Sequence, residues 1–361
     1  MKVMQIIPNL CLAGAEVMCT NLAISLKRIG VDVIVVSLFK GETYLTERLR
    51  DEKINVLYLN KHLGMDFSIF RKLNLIIRKE HPDVIHTHLY VLPYVFPAAL
   101  INKIKVFHTV HSVANKEQRF IGRKFVHILF NYFHVIPVAL SKKIQETICE
   151  EYNLCENRVP IIFNGEDLSL YVCKKNYSIK EKIYILHVGR FAETKNQMMI
   201  IDALMEFFYE YPCAEIHFLG NCNTELGKEC KERVNASDLR DRFYFEGVKG
   251  DVSTFFAKAD VFILPSLYEG IPMTIIEAMA SGLPIIASNR GGIGDMITDG
   301  VDGILIEPDK THFLDALKKL TVNEKLRKFL GLNARKKSME FDSSSMAREY
   351  LKLYSECLND K

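Results

Sequence analysis

The chain has 361 residues, and one hydrophobic core rarely grows beyond roughly 250–300 residues, so we expect two domains. Apolar residues make up 48% and charged residues 25%, which is ordinary for a globular protein. The net charge of +3 does not indicate a nucleic-acid partner, and no apolar run reaches the ~18–20 residues that a membrane-spanning helix needs.

The start of the chain and its cysteines favour a cytoplasmic protein. Lys2 supplies a charge, but Pro8 and Asn9 interrupt the apolar stretch and no small-residue cleavage site follows, so we expect no signal peptide. The nine cysteines are odd in number, scattered and without a CxxC pair. That usage is typical of free thiols in a reducing compartment.

Charge is unevenly distributed along the chain. Residues 1–170 hold 21 Lys and Arg against 16 Asp and Glu, whereas the remaining residues hold 26 against 28. A mildly basic first half suits an anionic or membrane-anchored partner, and normal surface variation explains it equally well.

The first half alternates between short apolar runs and amphipathic stretches, which indicates βαβ units around a parallel sheet. The expected buried strands are Val3–Ile7, Val33–Leu38, Val84–Thr87, Val106–Val110, Val135–Ala139 and Arg158–Phe163. The expected helices include Ala15–Arg28, Ser68–Lys79 and Lys142–Glu150. The turn signal Asn164-Gly165 ends the last strand, and the polar stretch Glu166–Lys180 is the expected linker.

A second alternating series follows the linker. Its expected strands are Ile183–Val188, Glu215–Leu219, Phe243–Phe245, Val261–Leu264, Pro284–Ala287 and Gly303–Ile306. Helices are expected over Asn196–Tyr209, Met273–Ser281, Lys310–Leu320 and, near the end, Ser345–Leu358. The prediction is an α/β protein with two doubly wound, Rossmann-like domains, 1–165 and 166–344, facing a cleft. Ligands of such sheets bind beyond the carboxyl ends of the strands.

The most informative segment runs from Pro265 to Pro284, follows a buried strand and opens a helix. Its loop Glu269–Pro272 places backbone N–H groups at a helix N-terminus, where phosphates bind well. Glu277 lies about one turn inside the helix, and ionised carboxylates are acceptors only, which suits sugar hydroxyls. An acidic helix start would explain one such glutamate, but not the whole string.

A second segment, Gly189–Asn196, follows the first strand of the second domain. Gly189 permits a sharp turn, and Arg190 and Lys195 supply two cations. A nucleotide diphosphate gains negative charge as its bond to a sugar breaks, so fixed cations would lower that barrier in place of a metal. Alone, these cations also fit a solvated surface; their position after a strand favours the catalytic interpretation.

We expect no metal ion and no cofactor. No Asp-x-Asp pair lies in a loop, and the clusters His86–His88 and His108–His111 have no obvious acidic partner. A lone histidine is more often structural, and we expect His86, His88 and His108 to be structural as well. His111, which follows the strand ending at Val110, becomes a candidate only through the resemblance given below.

Two glycine-containing loops complete the candidates. Ser288–Asp295 follows another strand, and glycines such as Gly292 let the backbone approach a ligand closely, although a plain glycine-rich turn explains them too. In the first domain, the loop Asn9–Glu16 contains Gly14 and is similar to a phosphate-binding turn, but it lacks GxGxxG.

Together these segments resemble the family-four retaining glycosyltransferases of GT-B fold, of the bacterial surface-polysaccharide type. The pair of glutamates with its flanks is the most specific part, and the motifs follow the expected order over most of the chain. They are AGAE (Ala13–Glu16), HTVHS (His108–Ser112), NGED (Asn164–Asp167), GRFAETKN (Gly189–Asn196), PSLYEGIPMTIIEAMASGLP (Pro265–Pro284) and SNRGGIGD (Ser288–Asp295).

The resemblance implies a role for each motif residue in the second domain. Glu277 would bind the nucleotide ribose, and Arg190 and Lys195 would stabilise the diphosphate. Glu269 would hold the donor sugar together with the backbone of Gly270, Ile271, Pro272 and Met273. Gly189 and Gly292 belong to the donor-binding motifs as well.

The resemblance also implies roles in the first domain. His111 would lie beside the transferred sugar, Gly14 would let the first domain close over the donor, and Asn164 would belong to the donor-binding set. The final helix, 345–361, would cross back onto the first domain. Two positions depart from the family: Ala13 where a second glycine is common and Asp295 where glutamate is common. Neither change removes a charge, so we still expect activity.

The predicted function is therefore retaining, metal-independent transfer of a hexose or N-acetylhexosamine from a nucleotide-sugar, which is a substrate and not a cofactor. A UDP-sugar is the first choice and a GDP-sugar the second, with a glycan or lipid-linked acceptor of capsule or lipopolysaccharide synthesis. Alternatives are a nucleotide-sugar epimerase of the same fold or an inactive sugar-nucleotide-binding module. The intact string from Glu269 to Glu277 argues against the epimerase. The presence of Arg190 and Lys195 together with that string argues against the inactive module.

The stretch Val113–Lys143 raises a further hypothesis about location. It contains six cations against one acid, Glu117, with apolar residues among them. Such a helix can lie on an anionic inner membrane leaflet, where each Lys or Arg adds about 1 kcal/mol. A core helix with solvated cations explains the same pattern. The cations are Lys116, Arg119, Arg123, Lys124, Lys142 and Lys143, and the apolar residues are Phe120, Phe125, Val126, Ile128, Leu129 and Phe130.

Overall fold

The computed structural model describes residues 1–62, 64, 66–114, 120–179 and 181–359, without the side chains of residues 120 and 121. The chain divides into two compact units. Unit 1 is Met1–Asp167 with Phe341–Lys361, and unit 2 is Leu168–Glu340. Within the described ranges, no helix combines the length and the apolar composition that crossing a bilayer requires.

Unit 1 is built on a parallel sheet of six strands in the order β3-β2-β1-β4-β5-β6. The strands are β1 (Lys2–Ile7), β2 (Asp32–Ser37), β3 (Asn55–Tyr58), β4 (Val84–His88), β5 (Lys105–Val110) and β6 (Ile136–Ala139). Helices between them are α1 (Gly14–Arg28), α2 (Tyr44–Asp51), α3 (Ser68–Glu80), α4 (Leu92–Ile101), α5 (Phe120–Tyr132) and α6 (Lys142–Tyr152). Successive residues of β1 are buried whichever way they point, as expected of a parallel sheet covered on both faces.

The last helix, α14 (Ser343–Asn359), belongs to unit 1 and packs against α1. It buries Tyr350 and Tyr354 completely. Where the chain returns, the Glu166 N–H donates to the Phe341 carbonyl, and the Ser343 N–H donates to the Glu166 carbonyl, each at 2.9 Å. Unit 1 is thus assembled from both ends of the chain.

Unit 2 repeats the architecture with the order β12-β11-β10-β7-β8-β9. Its strands are β7 (Ile183–Val188), β8 (Ala214–Leu219), β9 (Phe243–Gly247), β10 (Val261–Leu264), β11 (Ile285–Ser288) and β12 (Ile304–Ile306). Its helices are α7 (Gln197–Glu210), α8 (Glu225–Asn235), α9 (Ser253–Lys258), α10 (Met273–Ala280), α11 (Ile293–Met296), α12 (Lys310–Val322) and α13 (Glu324–Ser338). The predicted class of two doubly wound, Rossmann-like sheets is confirmed.

Two local expectations differ from the structure. The strand expected over Arg158–Phe163 is wrong: only a single bridge joins Ile161 to Ala139, because Pro160 has no N–H to extend a ladder. Strand β3 was not expected, since its residues are only half-buried. The boundary between the two units, after Asp167, falls within the expected linker Glu166–Lys180. Within it, Tyr177 is buried and its hydroxyl donates to the Gly282 carbonyl at 2.8 Å.

Candidate functional site

Three loops of unit 2 leave the carboxyl ends of neighbouring strands and contact one another. Strand β10 lies between β7 and β11, so the loops that follow these strands meet at one edge of the sheet. The Leu267 N–H donates to the Thr194 carbonyl at 2.8 Å, which joins the loops after β10 and β7. The Ser288 hydroxyl donates to the Ser266 carbonyl, which joins those after β11 and β10.

An ion pair lies where the first two loops meet. Lys195 Nζ lies 2.5 Å from Glu269 Oε1, and both side chains are largely buried. Among the described residues this oxygen accepts no well-directed hydrogen bond, so charge dominates the contact. A cation and a carboxylate are thereby held side by side, one suited to phosphate oxygens and the other to hydroxyl groups.

The loop that carries Lys195 is held from below by two buried polar side chains, His187 and Gln197. Gln197 Nε2 donates to the Arg190 carbonyl at 3.0 Å, and Gln197 Oε1 accepts from the Ala192 N–H at 3.3 Å. The same amide nitrogen donates to His187 Nε2 at 3.3 Å. His187 Nδ1 donates in turn to the Ile263 carbonyl of β10 at 3.1 Å.

This network requires a neutral histidine. Burial, aided by the nearby charge of Lys195, lowers the pKa of His187 to about 3. Because Nδ1 carries the single ring proton, Nε2 is free to accept from Gln197. The loop backbone is therefore tied to a rigid, uncharged support within the sheet.

Glycines allow the third loop to approach the second. Gly291 has φ +62°, and a Cβ there would lie 1.8 Å from the Glu269 carbonyl oxygen. A Cβ on Gly292 would lie 2.3 Å from the Gly270 carbonyl oxygen. The Gly292 N–H donates to the Glu269 carbonyl at 3.2 Å. Only residues without a side chain permit this contact, which fixes the backbone around Glu269.

Helix α10 begins at Met273, directly after this loop. Its N-cap is Pro272, whose side chain makes no capping hydrogen bond. Glu277 lies one turn into the helix and is only 7% exposed. A buried carboxylate and a positively polarised helix end thus follow the ion pair within a few residues.

Most of the predicted site residues belong to unit 2, where Lys195 contacts Glu269 and Gly292 packs on Gly270. Arg190 is exposed on the loop beside Lys195. The other unit 2 positions are Gly189, where an added Cβ would touch the Lys195 side chain, and the buried Ile271, Pro272, Met273 and Glu277.

Three predicted residues belong to unit 1. Gly14 is the exposed first residue of α1, and Asn164 is buried directly before Gly165. His111 follows β5 and is half-buried, with Nε2 lying 3.1 Å from His88 Nδ1. Sequence reasoning set His88 aside as structural, yet it touches a candidate residue.

Sequence reasoning also missed Gln197, His187 and Gly291. Gly291 had a signal, since it is one of two adjacent glycines in a motif already singled out. The buried residues Gln197 and His187 gave no such signal, because a glutamine at the start of a helix and a histidine in an apolar strand are both common.

Comparison with known proteins agrees with this architecture. Residues 12–170 match the model of Glycosyltransferase Family 4, and residues 173–337 match that of Glycosyl transferases group 1. Between them the two models account for almost the whole chain. Each match coincides closely with one structural unit.

The chain is 28% identical over 314 residues to the UDP-Gal:alpha-D-GlcNAc-diphosphoundecaprenol alpha-1,3-galactosyltransferase of Escherichia coli, covering 81% of this chain and 80% of that protein. It is also 28% identical over 322 residues to the N-acetyl-alpha-D-glucosaminyl L-malate synthase of Bacillus anthracis, covering 82% and 80%.

Among solved structures, Anabaena Alr3699/HepE in complex with UDP and glucose superimposes with a TM-score of 0.86 at 19% identity. The alignment covers 98% of this chain and 99% of that one, and it shows the shared fold. With both halves matched by family models and both sheets of the expected topology, the chain belongs to the family-four glycosyltransferases of GT-B fold.

Proposed function

We propose that this glycosyltransferase moves a hexose or N-acetylhexosamine from a nucleotide-sugar with retention of anomeric configuration. A UDP-sugar is the first choice of donor and a GDP-sugar the second. The acceptor is a glycan or lipid-linked sugar of bacterial surface-polysaccharide synthesis. The observation that carries the proposal is the Lys195–Glu269 pair, 2.5 Å apart, at the loop that leads into α10. It combines a group for the diphosphate with a group for the sugar.

In the proposed division of labour, Lys195 and Arg190 neutralise the charge that grows on the leaving diphosphate, so no metal is required. Glu269 and the backbone of Gly270–Met273 hold the donor sugar. Glu277 accepts hydrogen bonds from the ribose hydroxyls. The neutral support of His187 and Gln197 keeps the cationic loop in place without adding charge.

Three residues of unit 1 also have proposed roles. His111 binds the transferred sugar, and Gly14 and Asn164 belong to the donor-binding set. These roles rest on the family motifs that contain the three residues.

The comparisons support the choice of substrates. The Escherichia coli relative is named for a UDP-galactose donor and a diphosphoundecaprenol-linked acceptor, and HepE was solved with UDP and glucose. A relative in Staphylococcus aureus, 27% identical over 300 residues, is named for capsular polysaccharide biosynthesis. A uridine nucleotide and a polyprenyl-linked acceptor are therefore the first pair to test.

We further propose that unit 1 contacts an anionic inner membrane leaflet through α5. One stripe of this helix, Val126, Leu129 and Phe130, is buried in the core. A second stripe faces outward, with Tyr132 72% exposed and Phe125 and Ile128 also exposed. A core helix explains the first stripe only, whereas an interfacial helix also explains the second.

The cations of this surface are fewer than the sequence suggests. Acids outside the stretch Val113–Lys143 neutralise three of them. Arg123 pairs with Glu151 at 3.0 Å, Lys142 with Glu156 at 2.6 Å and Lys143 with Glu146 at 3.3 Å. Lys116, Arg119 and Glu117 lie outside the described residues, as does the side chain of Phe120. Apolar insertion therefore outweighs charge in the proposed contact.

A panel of UDP- and GDP-sugars tests the proposed function, with thermal shift for binding and nucleotide release for turnover. We expect one donor to stabilise the protein and release nucleotide only when a lipid-linked acceptor is added. NMR of the product reads the anomeric configuration. An epimerised donor would identify an epimerase, and binding without turnover of any donor would identify an inactive module.

A further inference from the structure

A line of buried hydrogen bonds in unit 1 ends on the candidate residue His111. Gln5, His88 and His111 come from three neighbouring strands of the sheet: β1, the last residue of β4, and the residue after β5. His88 Nε2 lies 3.1 Å from Gln5 Oε1, and His88 Nδ1 lies 3.1 Å from His111 Nε2. Both ring nitrogens of His88 are thus engaged.

The far end of the line decides the direction of its protons. The Cys19 thiol lies 3.1 Å from the same Gln5 oxygen. Burial raises the pKa of Cys19 far above its usual range, so this group is a thiol and donates. An amide oxygen accepts both from the thiol and from His88, whereas sulfur is a weak acceptor for an amide nitrogen. The oxygen of Gln5 therefore faces Cys19 and His88.

His88 has one ring proton to give. Burial, followed by the neighbouring histidines His86, His111 and His108, lowers the pKa of His88 well below its usual value, so its ring is neutral. Because Gln5 Oε1 only accepts, the proton is on His88 Nε2 and donates to that oxygen. Nδ1 is then an acceptor, and the His111 Nε2–H must donate to it.

The ring of His88 is also held from the side. The rings of His86 and His88 lie 4.3 Å apart between centroids. His86 itself is fixed by Tyr354 at 2.6 Å and Thr109 at 2.7 Å. Neither His86 contact competes for the nitrogens of His88, so the line from Gln5 to His111 has one arrangement of donors and acceptors.

We propose that His88, oriented by Gln5, is a positioning residue that holds the His111 ring with a proton on Nε2. Any effect of this contact on turnover acts through the orientation of the His111 ring. The catalytic consequence rests on the proposed function, because it requires His111 to act beside the transferred sugar. The tautomer itself does not.

The tautomers are read directly by long-range ¹H–¹⁵N NMR of the full chain labelled at histidine, with assignments from His88→Asn and His111→Ala. We expect His88 as the neutral Nε2–H form and His111 with a proton on Nε2. A proton on Nδ1 of His88 overturns the proposal. This result does not depend on turnover, so it stands apart from a failure of the proposed function.

Kinetics test the positioning role. His88→Leu removes the acceptor and should lower kcat about 10-fold or more with little change in donor KM, since the donor loops belong to unit 2. His88→Asn, whose Oδ1 replaces Nδ1 as an acceptor, should restore most of kcat. The exposed His81→Asn is the matched control, and thermal denaturation checks that each variant folds.

A double-mutant cycle separates positioning from general destabilisation. If His88 acts only through His111, the double variant His88→Leu with His111→Ala should be no slower than His111→Ala alone, within about twofold. If the double variant loses the product of the two single losses in kcat, the proposal is overturned. It is also overturned if the wild type turns over donor and the single variant His111→Ala is as active as the wild type.

Discussion

Two glutamates of one motif, Glu269 and Glu277, have different surroundings. Glu269 is paired with Lys195, so part of its charge is already compensated before any ligand arrives. Glu277 is buried one turn into α10, where its carboxylate can only accept hydrogen bonds. The candidate site thus combines the Lys195–Glu269 pair with a second carboxylate, that of Glu277.

Replacing Glu277 by alanine should weaken donor binding while the protein stays folded. Loss of a charged hydrogen-bond acceptor costs about 2 kcal/mol, which is roughly a 30-fold rise in Kd. Calorimetric titration with the donor measures it, and circular dichroism checks the fold. Glu225→Ala, at an exposed glutamate of unit 2, is the control. Equal affinity of variant and wild type would contradict the assignment.

Arg190→Ala and Lys195→Ala should lower kcat more than they raise donor KM. Charge grows on the diphosphate in the transition state, so each cation matters most there, with a loss on the order of 100-fold. Steady-state kinetics with varied donor separates the two parameters.

The same enzyme preparation should keep its activity in EDTA. Loss of activity in the chelator, followed by recovery with manganese or magnesium, would show that a metal and not these cations neutralises the diphosphate.

Between elements, the site depends on loops that touch through backbone alone. Gly291 and Gly292 bring the loop after β11 against the carbonyl groups of Glu269 and Gly270. On the opposite side, Gln197 ties the loop after β7 to the sheet. The position of Glu269 is therefore set by neighbours on two strands.

Gly291→Ala should disturb the site more than its backbone angle alone explains. The added Cβ would lie 1.8 Å from the Glu269 carbonyl oxygen, so the loop must shift. We expect donor affinity to fall at least about 10-fold, because a shift of about 1 Å misplaces binding groups.

Gly300→Ala is the matched control, since Gly300 has a similar φ of +70° but open space around it. In Gly300→Ala the free energy of unfolding should fall by about 1 kcal/mol, the backbone strain that Gly291→Ala also causes, and donor affinity should not change. Equal affinity losses in both variants would attribute the effect to backbone strain instead.

Helix α5 should bind anionic membranes through its outward stripe. Phe125→Ser combined with Ile128→Ser should abolish flotation with liposomes that contain anionic lipid, and Lys124→Glu should reduce it. The exposed Phe329→Ser of unit 2 should leave flotation unchanged. Absence of flotation of the wild type with both neutral and anionic liposomes would leave α5 as a core helix with a solvated face.

Over the whole molecule, buried neutral histidines occur in both units. Burial lowers the pKa of His86 and His88 in unit 1 well below the usual value, and that of His187 in unit 2 to about 3. Since the folded pKa is below the unfolded one, unfolding takes up protons once the pH falls below about 6.5. Stability from these groups is full above that pH and is lost on acidification.

The free energy of unfolding should therefore fall between pH 7.5 and 5.5 by about 1.4 kcal/mol for each of the three histidines. His187→Gln should reduce that loss by about 1.4 kcal/mol. Urea titrations at both pH values measure it, and the exposed His134→Asn should keep the wild-type loss. Parallel pH dependence of the His187 variant and the wild type would mean that the buried ring titrates normally.

The sequence by itself determined the class of fold and the segments of the candidate site. Apolar runs alternating with amphipathic stretches specify strands and helices locally, because each pattern follows from burial of one residue and its near neighbours. The motif after β10, including Glu269 and Glu277, was recognisable for the same reason: all its residues are adjacent in the chain. Pattern failed where burial was partial, as in β3, or where a proline cut a ladder, as at Pro160.

Only the tertiary structure decided which of these segments touch. The Lys195–Glu269 pair exists because β7 and β10 are neighbours in a sheet whose order does not follow the chain. The limited space at Gly291 and the contacts of Gln197 and His88 likewise come from partners distant in sequence. The periodicity of apolar residues indicates which face of a helix or strand is buried. Strand order and loop contacts depend instead on long-range packing, which produces no local sequence pattern.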